Sequence, residues 1–207
     1  MIVTKTEAVA KTRYRVYIDG QFAFVLYKSE LSRYQVREGQ ELGEGIYEKI
    51  RAEVLVKRAK IRAMHLLNAM GRTEAQLRMK LGQGGYPEDV VDEALSYVKS
   101  FGYVDDLNYA RSFIAGRKEK KSRKEIFMLL KGKGVSEEEI GQAMEECYEE
   151  EDCAAAIQKI MDKRGYDPDR ADYKERQKIM AYLVRKGFPY EDVRKACGGY
   201  AQEDFAL

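Results

Sequence analysis

LRMKLGQGGYPEDVVDEA, residues 77–94, is a helical hairpin written in one line. Leu77 and Leu81 stand one helical turn apart, Gly85 stops that helix, and Pro87 opens a second whose inward stripe begins with Val91 and Ala94. The same skeleton returns twice. Ile126, Leu130, Gly134-Val135-Ser136, Ile140 and Ala143 repeat it at an offset of 49 residues, and Ile179, Leu183, Gly187-Phe188-Pro189, Val193 and Ala196 at a further 53. Self-similarity at such a period is the mark of stacked supersecondary units, each too small to bury its apolar face alone.

Working outward, capping boxes recur at the helix starts: Thr73 with Gln76, Ser122 with Glu125, and Ser136 with Glu139. A further helix precedes each hairpin, at about 46–70, 105–119 and 153–164. In the first of these, Val56, Ala59, Ala63, Leu66, Leu67 and Met70 form one stripe, ended by Gly71. The second helix of the first hairpin carries Val91, Ala94, Leu95, Val98 and Phe101, ended by Gly102. The reading is a mainly α chain of three tandem three-helix units in an elongated array, over 46–104, 105–152 and 153–207.

Residues 1–45 differ. RYRVYIDGQFAFVLY, residues 13–27, reads as a β-hairpin around Asp19-Gly20, a dipeptide that accepts positive φ at both central positions. Apolar residues fall on both of its faces, which leaves the register open. An isolated ribbon is marginal in water, so this one needs a packing partner, either the amphipathic stretch Ser29–Val36 or the long helix that follows. Gly39, Gly43 and Gly45 mark a loop between the two regions.

Composition narrows the function. Hydrophobic residues make up 44% and charged residues 35%, which suits helices with narrow apolar stripes and wide solvated faces. No segment approaches the ~18 uninterrupted apolar residues of a membrane span, and the opening MIVTKTEAVAKTRYRV lacks a signal-peptide pattern. A cytoplasmic protein is expected. Cys147, Cys153 and Cys197 show no C-x-x-C spacing and read as reduced thiols, a Cys147–Cys153 disulfide being the alternative. His65 is the only histidine and sits on a basic helix face, where a plain surface position suits it better than a nucleophile's base. Gly82-Gln83-Gly84-Gly85 lacks the Lys and Ser/Thr of a phosphate loop, and neither it nor Gly132-Lys133-Gly134 follows a strand. The chain is therefore expected to bind rather than to catalyse, without a cofactor or metal.

The net charge of +2 hides a polarised chain. Arg111–Lys124 holds seven basic residues and one acidic, whereas Glu137–Asp152 holds nine acidic and no basic. Arg117, Lys118, Lys120 and Lys121 have too few acidic neighbours in sequence for local pairing, and Arg111, Arg123 and Lys124 complete the basic set. They form either a solvated linker or a contact for phosphates or an acidic protein. A second basic set lies on the first unit's helices: Lys57, Arg58, Lys60, Arg62, Arg72, Arg78 and Lys80. The fifteen tyrosines either stack on bases or edge the core.

One segment adds a family likeness. Gly102-Tyr103-Val104-Asp105-Asp106-Leu107-Asn108-Tyr109-Ala110-Arg111-Ser112-Phe113-Ile114 strongly resembles the G-Y-[ILV]-[DN]-D-x-x-[YF]-A-x-x-[FYW] signature of the RecX family, bacterial modulators of the RecA recombinase. Arg72-Thr73-Glu74-Ala75-Gln76-Leu77 with Lys80-Leu81 resembles that family's R-[ST]-x-x-E-L-x-x-K-L element, although Gln76 stands where Glu is frequent. Ile126, Leu130 and Lys133-Gly134-Val135 resemble a third element, and Lys120-Lys121-Ser122 occupies a region where the family commonly has glycine. By residue chemistry, Gly102 ends one helix, Asp105 or Asp106 caps the next, and Tyr109, Ala110 and Phe113 point inward, so the signature reads as structural, holding the first repeat against the second.

The resemblance implies a monomeric regulator that lies in the groove of a RecA–single-stranded DNA filament and inhibits its recombinase and ATPase activity. On that reading the basic residues meet DNA phosphate or acidic recombinase surface, with single-stranded DNA a candidate direct contact. The acidic stretch either meets basic recombinase loops or is solvated. Two rivals are a general nucleic-acid-binding helical repeat protein and a scaffold for another protein.

Overall fold

The computed structural model describes residues 1–198, so the last part of the third unit, 199–207, lies outside the described residues. The chain divides into two compact units, Met1–Asp105 and a second beginning at Asp106.

The first unit opens with a three-stranded antiparallel sheet in the order β1 (Val3–Ala10), β2 (Arg13–Ile18), β3 (Gln21–Tyr27). The β2–β3 hairpin turns at Asp19 and Gly20, both at positive φ (50° and 82°), as a two-residue turn of this hand demands. β1 is an addition to the two strands read from sequence. Its residues are mostly exposed, and its apolar ones, Val3 and then Ala8, Val9 and Ala10 in a row, do not alternate, so no period of two announces it. It is held by pairing with β2 and by the Asp19 carboxylate, which accepts the Ile2 amide at 2.8 Å. β3 buries Phe24, Val25 and Leu26 in succession, which means both of its faces are covered. A register shift between Val16 and Tyr17 breaks the alternation of β2 against β3. These two features explain why periodicity could not fix the register.

A short helix α1 (Lys28–Arg33) follows the sheet. Then α2 (Glu44–Ile50), a π-helical segment (Arg51–Val56) and α3 (Lys57–Ala69) run on continuously. Gly45 belongs to the first turn of α2 rather than to a loop. α4 (Glu74–Gln83) and α5 (Glu88–Ser100) complete the unit. One core joins sheet and helices: Val16, Phe24 and Leu26 from the strands, Ile50 and Leu55 from the long helix, Leu77, Leu81 and Leu95 from the hairpin. The Phe24 ring meets Tyr47 of α2 at 5.9 Å. Each such side chain removed from water stabilises the fold by about 1.5–3 kcal/mol. Met70 and Phe101, expected on inward stripes, are 60% and 56% exposed, because each lies just past its helix end where the 3.6-residue phase no longer applies.

The second unit holds α6 (Asp106–Ala115), α7 (Arg123–Lys131) and α8 (Glu137–Cys147), then α9 (Glu150–Lys163), α10 (Tyr173–Arg185) and α11 (Tyr190–Ala196). Two cores result, one around Ile126, Leu130 and Ile140, the other around Ile157, Leu183 and Val193, with Tyr148 packed against both. The repeat glycines Gly85, Gly134 and Gly187 sit at φ of 82°, 84° and 88°, the left-handed turn that lets a helix stop and reverse.

Thr73 and Ser136 form reciprocal capping boxes with Gln76 and Glu139. Ser122 accepts the Glu125 amide at 3.1 Å, but the box does not close, because Lys121 draws the Glu125 carboxylate away. The three cysteines are free thiols. Burial, aided by the neighbouring Asp192 carboxylate, pushes the Cys153 thiol up to about 11.

Candidate functional site

Cations gather at two places, one in each unit. In the first unit the turn between α4 and α5 docks on strand β3. A Cβ on Gly85 would come within 2.6 Å of the Val25 side chain, so only glycine permits this approach. The approach closes a cleft of about 630 Å³ lined by Arg13, Val25, Tyr27, Arg58, Ile61, Arg62, His65, Lys80, Gln83, Gly84, Gly85 and Tyr86. No carboxylate lines it. Arg58 donates to the Val25 carbonyl at 3.2 Å, pairs with Glu30 and lies 4.6 Å from the Tyr27 ring centroid. Burial raises the Tyr86 phenol above its ordinary value.

In the second unit a cleft of about 650 Å³ lies between the repeat formed by α6–α8 and that formed by α9–α11. Lys120, Lys121, Lys159, Lys163, Arg164 and Lys186 line it with Glu125, Ile160 and Tyr182. Its architecture rests on Ser122, which is fully buried and donates to the Lys186 carbonyl at 2.6 Å while capping α7. Arg164 lies 3.6 Å from the Tyr182 ring centroid and holds that phenol below its usual range. Lys121 pairs with Glu125, which also lies 4.0 Å from Lys186, and Lys159 pairs with Glu119. Lys120 and Lys163 have no ion pair among the described residues.

The residues singled out from sequence separate accordingly. Arg58, Arg62 and Lys80 converge on the first cleft, and Lys120 and Lys121 on the second. Lys57, Arg123 and Lys124 are exposed and line neither. Arg72 donates to the Leu66 carbonyl at 3.2 Å, closing the end of α3. Arg78 is spent on Asp92 at 2.6 Å and Glu74 at 3.4 Å.

Local pairing in the 111–124 run is expected to be scarce; Lys121 finds Glu125 one turn away, and folding supplies further acidic partners from afar. Arg111 makes a two-armed bridge to Glu146 at 2.6 and 3.1 Å. Lys118 meets Asp152 at 3.0 Å, a hydrogen bond that holds its ammonium above the ordinary lysine value. Arg117 packs over the Phe113 ring at 3.7 Å. The basic run and the acidic stretch thus partly neutralise each other.

Among the signature residues, Ala110 and Phe113 are buried, Tyr109 is half-buried, and Gly102 turns at φ 69°. Asp105 directly precedes α6 and Asp106 is its first residue. Tyr103 is 55% exposed and stacks on Phe101 at 5.6 Å.

Sequence reasoning did not reach Arg13, Tyr27 and Tyr86, nor Lys159, Lys163, Arg164 and Lys186. A signal existed for one pair, since Lys159 and Lys163 stand four apart on one face of α9. Among the described residues no group of three or more His, Cys, Asp or Glu side chains could hold a metal, and no helix is long and apolar enough to cross a membrane.

Comparison with known proteins places this geometry. Residues 59–97, 105–144 and 150–197 match the models of the first, second and third three-helix domains of RecX. The "Regulatory protein RecX" of Caldanaerobacter subterraneus subsp. tengcongensis is 32% identical over 95% of this chain and 98% of its own length. That of Leuconostoc citreum is 32% identical over 86% of this chain and 68% of its own. A solved structure, "Crystal structure of regulatory protein RecX", superposes with a TM-score of 0.65 at 27% identity, covering 97% of this chain and 100% of that one.

Proposed function

The chain belongs to the RecX family, and from that premise we propose that it is a regulatory protein that binds the RecA–single-stranded DNA filament and inhibits its recombinase and ATPase activity. It acts as a cytoplasmic monomer, by binding and not by catalysis. The observation that carries this reading is the match of all three tandem repeats to the family, over a second unit whose inter-repeat cleft offers six cations against one carboxylate. Lys120 and Lys163, left without ion pairs among the described residues, are the groups best placed to meet carboxylates or phosphates of the filament.

The experiment is the half-inhibiting concentration for RecA-driven strand exchange, for the parent chain and for Lys120→Glu/Lys163→Glu. A charge-assisted contact contributes about 1.5–3 kcal/mol, and reversal adds repulsion. Since about 1.4 kcal/mol is tenfold, at least a tenfold rise is expected, with little change in thermal stability. Equal values for the two proteins would remove the cleft from the interface. A parent chain that leaves RecA ATP turnover unchanged would overturn the reading itself.

A further inference from the structure

We propose that the cleft between the sheet and the first repeat binds the phosphodiester backbone of a single nucleic-acid strand, directly and without a recombinase. The proposal deepens the reading above by naming a site for the strand, one to which the sheet contributes Arg13 and Tyr27.

Four cations from three elements line this cleft: Arg13 at the start of β2, Arg58 and Arg62 one turn apart on α3, and Lys80 on α4. Glu30 compensates Arg58. Arg13, Arg62 and Lys80 make no ion pair among the described residues, and Lys80 has only a 3.4 Å hydrogen bond to Gln83. Cations held together in a concave site without a carboxylate repel one another, and an anion relieves that repulsion.

The anion's shape follows from the layout. The cations stand on separate elements around about 630 Å³, far more room than one phosphate fills. An extended chain of phosphates meets them in turn. Tyr27, 38% exposed, and the half-buried Tyr86 stand in the same walls, where bases can stack on aromatic rings, and guanidinium groups match phosphate oxygens in pairs. A duplex carries its phosphates on a rigid cylinder that cannot enter a slot, whereas a flexible strand can. An acidic peptide would satisfy the charges but leave the tyrosines unused.

The test uses the purified full chain and a fluorescein-labelled oligothymidine of about 16 nucleotides, followed by anisotropy at roughly 50 and 200 mM salt. The parent chain is expected to bind, more weakly at the higher salt. Arg62→Glu/Lys80→Glu is expected to bind at least about tenfold more weakly, and the salt slope to fall by about 1.4, because each single-strand phosphate neutralised contributes about 0.7. The charge-matched Arg37→Glu/Lys49→Glu, exposed in the same unit, is expected to bind like the parent. Arg62→Gln/Lys80→Gln keeps the test sound should the reversals fail to fold.

Absence of binding by the parent, or equal binding by the cleft variants, would overturn the proposal. Tighter binding of the matching duplex would also overturn it, as would equal binding of labelled polyglutamate. RecA ATP turnover measured alongside separates the two readings. Strand binding without any effect on RecA leaves this site standing and removes the regulatory reading, and inhibition without strand binding does the reverse.

Discussion

Gly85 and Gly102 both adopt the left-handed backbone, at φ of 82° and 69°, yet they stand in different surroundings. A Cβ on Gly102 meets nothing within 4 Å, so Gly102→Ala should cost only the backbone penalty, about 1–2 kcal/mol. On Gly85 the added methyl also drives into Val25 at 2.6 Å. Overpacking of that kind adds about 1–3 kcal/mol, so Gly85→Ala should lose roughly 2–5 kcal/mol. Urea unfolding of the two variants checks the difference, and equal losses would mean the turn does not press on β3. The stop at Gly85 was legible in the sequence because φ is a local property. Its contact with Val25 was not, since sixty residues of chain separate them. The cleft this contact closes was hidden for the same reason: Arg62 and Lys80 were in view, but the sheet residues Arg13 and Tyr27 were not.

Helix caps show the same division one level up. The boxes at Thr73 and Ser136 follow the S/T-x-x-E/Q spacing and form as that spacing predicts. At Ser122 the spacing is present but the chemistry is redirected: Glu125 turns to Lys121, and the serine hydroxyl donates instead to Lys186, 64 residues on. Ser122 therefore caps α7 and ties the second repeat to the third. Ser136→Ala, at an exposed cap, should lose about 1 kcal/mol. Ser122→Ala removes a cap worth about 0.5–2 kcal/mol and a second hydrogen bond, to the Lys186 carbonyl, worth about 0.5–1.5 more, for a loss of roughly 1–3.5 kcal/mol in urea unfolding. A loss no larger than that of Ser136→Ala would mean the tie between repeats carries no energy. β1 was invisible at this scale because a largely exposed edge strand whose apolar residues do not alternate has no period to read.

At the scale of the whole chain, periodicity and repetition were enough for the helical class and the three-helix repeats, since both are written in spacing. Charge was not. The basic 111–124 run and the acidic 137–152 stretch look opposed in sequence, but folding pairs Arg111 with Glu146 and Lys118 with Asp152. The ribbon's need for a packing partner was legible, and the partner is the long helix together with its hairpin: Val16, Phe24 and Leu26 complete the core of the first repeat. Deleting residues 1–27 should therefore cost more ellipticity at 222 nm than three strands supply, as α3–α5 lose their wall. Loss of the strand contribution alone would show that the first repeat stands without the sheet. What allows one wall to serve both neighbours is the π-helical segment Arg51–Val56. An α-helix advances about 100° per residue, and i→i+5 bonding takes up one residue more per turn. The stripes on either side of the segment are thus keyed at different angles on one shaft, like two cams. Tyr47, against Phe24, is timed to the sheet, and α3, which buries Ala59, Ala63 and Leu66, to α4 and α5.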